Sequence, residues 1–125
     1  MQRIVAMQAQ RKRLAEWKLA EIETRKAAVK AAQTELGSYM EAAELTGPLA
    51  VLALKQTRRL AEREAETEAE RNRQQAAVQA AERRHRLAER IAEAAAAEDR
   101  MIRERRGLET LIMEAVARAS TADPD

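Results

Sequence analysis

Phenylalanine and cysteine are absent from this chain of 125 residues, and Trp17 and Tyr39 are its only aromatic side chains. A compact core leans on aromatic and branched residues, so the composition points away from an ordinary globular domain. Without cysteine there is no disulfide framework, and the redox compartment leaves no mark on the sequence. Glycine occurs three times and proline twice, which leaves long stretches with nothing to break a helix. Long hydrophobic runs are missing too. The longest, Leu49 to Leu54, is far too short to span a bilayer, and Met1 to Gln8 lacks the apolar stretch of a signal peptide. The expectation is a soluble cytoplasmic protein, at most peripheral at the inner face of a membrane. Nor is one sign of charge in large excess. The chain has 23 Lys and Arg against 21 Asp and Glu, a net charge of +2, which does not by itself imply a nucleic-acid partner.

Groups that carry catalysis are scarce as well. His85 is the only histidine, and it sits in Arg83-Arg84-His85-Arg86, where neighbouring cations oppose a metal ion; it reads as a surface helical residue. There is no Gly-rich phosphate loop and no nucleophile–base constellation. The glutamates stand at helical spacing from Arg or Lys, as on a solvated face, rather than alone in a cleft. No enzyme, cofactor or metal site is expected.

What the chain does have is alanine, glutamate, arginine and leucine, all strong helix formers. The one strong punctuation is Leu45-Thr46-Gly47-Pro48. Proline suits the first turn of a helix and disfavours helix in the residue before it. Gly47 therefore reads as the end of one helix, with Thr46 or Gly47 as the N-cap of the next. The predicted fold is all-α: a helix over about 1–44, a turn at 45–48, a longer helix over about 49–119 and a frayed tail at 120–125. A short loop returns the second helix antiparallel along the first as a coiled-coil hairpin; a kink in one long helix is the competing reading.

In the first arm Ile22, Val29 and Leu36 recur every seven residues, with Ala15 one heptad earlier. Leu19 and Met40 fall on the adjacent position, which Lys26 and Gln33 interrupt. This is a coiled-coil seam with polar breaks. Gly37-Ser38 is expected to loosen the last turns. In the second arm Ala61, Ala65 and Ala69, continued by Ala76 and Ala80, suggest a thin, weakly held alanine seam. Val78, Leu87, Ile91 and the residues after them restore an apolar stripe. With both arms continuous, facing residue numbers add to roughly 93, which sets Glu62, Glu64, Glu66, Glu68 and Glu70 opposite Arg25, Lys26 and Lys30.

Three surfaces stand out. Tyr39, Met40, Leu45 and the run containing Leu52 make the turn an apolar tip; they either close the hairpin end or meet a partner. At the open end Arg11 and Arg13 come close to Arg83, Arg84 and Arg86; this basic region is either a salt-screened solvated face or a dock for an acidic partner. Beyond about residue 90 the second arm has nothing in the first to face, yet it carries Ile102, Leu108 and Ile112. An apolar stripe without a mate marks a binding surface or a self-association seam.

Leu36-Gly37-Ser38-Tyr39-Met40 before the turn resembles the flagellar export stalk protein family (FliJ). So do Lys55-Gln56-Thr57-Arg58-Arg59-Leu60 and the Ala/Glu/Arg-rich run through Arg90 after it. Members also carry a tyrosine late in the first helix and a glutamine early in the second. The resemblance covers most of residues 1–118. It implies a soluble coiled-coil component of flagellar type III secretion, with injectisome relatives, that inserts into the export ATPase ring, contacts the export gate protein and works with export chaperones. By that analogy the basic end faces the ring and the tip around Tyr39 faces the gate. Two other readings compete: a generic coiled-coil scaffold or prefoldin-like chaperone, and a nucleic-acid binder. Only two aromatic side chains for base stacking and a net charge of +2 weigh against the last.

Overall fold

The computed structural model describes residues 1–122. Helix α1 spans Gln2–Ala43 (42 residues) and helix α2 spans Pro48–Ala122 (75 residues). The two pack against each other, and no strand occurs among the described residues. Contacts descend one helix as they climb the other: Gln33 meets Glu64, Arg25 meets Glu70, and Gln74 meets Ala15. The protein is therefore an antiparallel helical hairpin whose second arm is the longer, in the register that the turn implies.

The turn differs in detail from expectation. Helix α1 ends near residue 44 as expected, but the residue that caps it is Glu44, not Gly47: Glu44 takes the left-handed conformation (φ 44°, ψ 56°), a place usually filled by glycine because a Cβ is strained there. Gly47 also has positive φ, 67°, and its carbonyl accepts the first helical bond of α2 from the Val51 N–H at 3.2 Å. Gly47 is thus the N-cap and Pro48 the first helical residue, where a missing N–H is harmless. Gly37-Ser38 does not loosen α1, which stays helical to Ala43. Helix α2 is unbroken and runs through Ser120 to Ala122, three residues into the stretch read as a tail; residues 123–125 lie outside the described residues.

The α1 seam is the one the sequence predicts. Ile22 is buried, while Ala15, Leu19, Lys26, Val29, Gln33, Leu36 and Met40 are half-buried, at alternating spacings of three and four. The α2 seam is not. Ala61, Ala65 and Ala69 are exposed, and the shielded positions are Leu60, Glu64, Thr67, Arg71, Gln74, Val78, Ala81, His85 and Ala88. A strict four-residue repeat advances about 40° per step on a 3.6-residue helix, so it drifts off any one face. Leu87 and Ile91, expected to restore the stripe, are 57% and 45% exposed, one place off the seam occupied by buried Ala88. His85, expected on the surface, is on the seam with its imidazole 18% exposed and its Nε2 3.1 Å from Glu89.

Among the described residues only Ile22, Ala53, Val78, Ala81 and Ala88 are buried. The protein exposes 10307 Å², whereas a compact monomer of 14.0 kDa exposes about 6,700 Å². The excess belongs to a rod, and it is large enough that much of the surface is available to partners.

Candidate interaction surfaces

The middle of the hairpin is held by polar contacts across the seam rather than by alanine packing. Lys26 Nζ lies 2.7 Å from Glu68 Oε2, Arg25 3.1 Å from Glu70, and Arg71 3.5 Å from Glu23. The Gln33 amide donates to Glu64 at 2.8 Å, and the Gln74 amide donates to the Ala15 carbonyl at 3.0 Å. The hydrogen bond from Lys26 holds the Glu68 carboxyl below its ordinary pKa; partial burial opposes this, and the positive charges of Lys26 and Arg71 reinforce it. Of the five glutamates expected to face α1, Glu64, Glu68 and Glu70 make cross-arm contacts. Half-exposed pairs of this kind add little stability each, but their pattern fixes register and antiparallel sense. The middle is a keyed zipper.

The basic residues of the open end do not form one patch. Arg11 and Lys18 of α1 line a groove with Leu14, Ala77 and Arg84. These residues sit one place before a seam position on their own helix. In an antiparallel pair, one-before positions of both helices fall on the same side of the hairpin. Arg86 lies one place after seam residue His85, hence on the other side, and reaches Glu82 at 3.8 Å. Arg13 also follows a seam position, Lys12, and Arg83 lies midway between Ala81 and His85 on the outer surface; both are exposed. The cations thus encircle the end of the rod. On the seam here, Gln8 Oε1 is buried with no hydrogen-bond partner.

At the tip Tyr39 and Leu52 are exposed, as are Leu49, Val51 and Leu54. Met40 is half-buried, and its Sδ accepts from the Thr57 hydroxyl at 3.7 Å. Met40 lines a shallow apolar groove with Leu36, Leu54 and Leu60. The apolar tip therefore divides: Met40 closes the hairpin, while Tyr39 and Leu52 face outward.

On the overhang Ile102, Leu108 and Ile112 are exposed, with Met101, Leu111 and Val116. The sequence reading missed a further set, Ile4, Met7 and Leu14 on α1, which are 43–53% exposed at the open end. They precede seam residues Val5, Gln8 and Ala15 by one place, and that offset was the signal available.

Several threonines spend their hydroxyls on the carbonyl four residues back, as Thr24, Thr34 and Thr67 do. Among the described residues no group of His, Asp and Glu is disposed to hold a metal ion, and no helix is long and apolar enough to cross a membrane. Comparison with family models, with curated proteins and with solved structures finds no match for this chain. The reading of function rests on the surfaces above.

Proposed function

We propose that the chain is a non-enzymatic coiled-coil component of the flagellar or type III protein export apparatus, linking the export ATPase ring to the export gate. The observation that carries this is a slender two-helix rod with unlike ends. One end is ringed by arginines on both helices; the other, about 60 Å away along α1, exposes Tyr39, Leu52 and the leucines around them. A rod can connect two bodies only if each end has its own chemistry, and these ends do. The resemblance around Leu36–Met40 and Lys55–Leu60 supplies the identity of the two bodies.

The test is binding of the intact chain to a purified export ATPase. Reversing Arg11, Arg84 and Arg86 to glutamate together should weaken binding tenfold or more, and the difference should shrink as salt rises, because exposed charges are screened beyond about 8 Å at physiological ionic strength. Helicity by circular dichroism should be unchanged. Equal affinity with intact helicity removes the open end from the mechanism.

The exposed overhang favours a second reading, a coiled-coil scaffold or prefoldin-like chaperone that holds clients on its free arm. Replacing Ile102, Leu108 and Ile112 by serine should then abolish suppression of client aggregation. A wild-type chain that suppresses none rejects this reading.

A further inference from the structure

Helix α2 carries a second heptad stripe, rotated by one residue from the seam that holds α1. It runs Leu87, Ile91, Ala94, Glu98, Met101, Arg105 and on through Leu108, Ile112, Ala115 and Ala119, at alternating spacings of four and three. Leu87, Met101, Leu108 and Ile112 are 57–66% exposed. A stripe this regular over 33 residues, about 50 Å, is the pattern of a coiled-coil interface, yet α1 does not cover it. We infer that a second copy of this chain does, as a two-fold antiparallel dimer with its axis near Ile102 and Arg103.

The stripe itself selects that partner. Its two charged positions, Glu98 and Arg105, are opposite in sign and one heptad apart. Among the described residues neither has an ion-pair partner within the chain. An isologous pairing about an axis at Arg103, which lies between them, brings each Glu98 within one layer of the Arg105 of the other copy, about 4.5 Å along the axis, twice by symmetry. The same register matches sizes: Ile112 meets Ala94, Ile91 meets Ala115, and Leu87 meets Ala119, a large side chain against a small one each time, while Leu108 and Met101 face the aliphatic stems of Glu98 and Arg105. Two flanks are unfavourable in this register: Glu104 stands near its own copy, and Arg90 stands near Arg118.

The hairpin makes the fit more than a pair of overhangs. Near Leu87 and Ile91 the stripe runs beside α1, on the side where Leu14, Ala77 and Arg84 share a groove. Ile4 and Met7 precede their seam positions by one place and so flank that side, half exposed. The end of the partner's α2 is small there, Ala115 and Ala119, and drops between two walls of large side chains. Each overhang thus caps the open end of the other copy, and each end becomes a three-helix bundle.

The full-length chain should sediment at twice 14.0 kDa in a concentration-dependent equilibrium. Glu98→Arg or Arg105→Glu alone should weaken the dimer tenfold or more, since each sets like charges together. Mixing the two variants should restore dimer, because one chain then presents two arginines and the other two glutamates. Spin labels at Arg90 should lie about 40 Å apart in the antiparallel dimer, against about 10 Å in a parallel one. A monomer at every concentration, a short Arg90 distance, or a mixture that stays monomeric overturns the proposal. Loss of dimer through misfolding is distinguished by the mixing arm, where misfolded chains give no rescue.

Discussion

Two residues are out of keeping with their places, and both can be tested singly. Glu44 holds the left-handed C-cap at φ 44°, which costs an L-residue about 1–2 kcal/mol and glycine almost nothing. Glu44→Gly should therefore raise stability by about 1 kcal/mol, although glycine in a helix interior would lower it. A thermal melt at fixed concentration reads the difference, and an unchanged or lower midpoint would show that Glu44 is not strained. Gln8 sits on the seam with its side-chain oxygen buried and unpartnered. Leaving such a group unmet costs about 1–3 kcal/mol, so Gln8→Leu should stabilise the open end by about 1 kcal/mol. Slower hydrogen exchange at Val5 to Lys12 in the variant is the expected result. Neither site was legible in the sequence. A glutamate ahead of Gly47-Pro48 gives no hint that it, rather than the glycine, takes the left-handed cap of the helix. A glutamine near the start of α1 looks like any surface residue until the partner helix is in place.

At the scale of the helix, legibility depended on side-chain size. The α1 seam could be read because its positions carry Leu19, Ile22, Val29 and Leu36, large residues in a heptad. The α2 seam could not, because Ala81 and Ala88 occupy it while Leu87 and Ile91 stand one place aside. Hydrophobic periodicity follows the largest residues, and here they trace the second stripe instead of the first. The middle of α2 misled in another way: polar Glu64, Arg71 and Gln74 are on the seam, and the alanines are outside it. A polar seam should respond to pH. The Glu68 pKa is held down in the folded hairpin, chiefly by the Lys26 hydrogen bond, so its stabilising contribution is full at neutral pH, above the unfolded pKa. It is lost as pH falls through the folded pKa, below the ordinary glutamate range. Acidification should therefore loosen the segment around Lys26 and Glu68 before Val78 to Ala88, where the seam is mostly alanine and valine. Hydrogen exchange corrected for intrinsic rates would show this, and Lys26→Met should remove the acid sensitivity at Glu68. Equal acid response along the whole rod would mean that the polar ladder does not hold the middle.

At the scale of the molecule, the hairpin and the overhang are two materials. From Glu98 to Thr121 every residue of α2 is exposed, so within one chain this segment helps fold nothing but itself. The hairpin draws its stability from the seam that closes near Ala88, and its apolar burial is confined to a handful of side chains. Deleting residues 98–125 should consequently leave the melting midpoint of the hairpin within a few degrees at concentrations where the chain is monomeric, a shift worth less than about 1 kcal/mol for a domain of this size. At high concentration the two chains should diverge. The full chain should gain stability with each increase in concentration, as any protein does when association favours the folded form, and the truncated chain should not. This comparison also bears on the proposed stalk role. A partner helix lying across the open end competes with anything else that docks on Arg11 and Arg84, so an acidic ring that binds there should convert dimer to monomer as it is added. A midpoint that collapses on truncation even at low concentration would mean instead that the overhang folds back onto the hairpin, and the long free arm would not be a feature of the protein in solution.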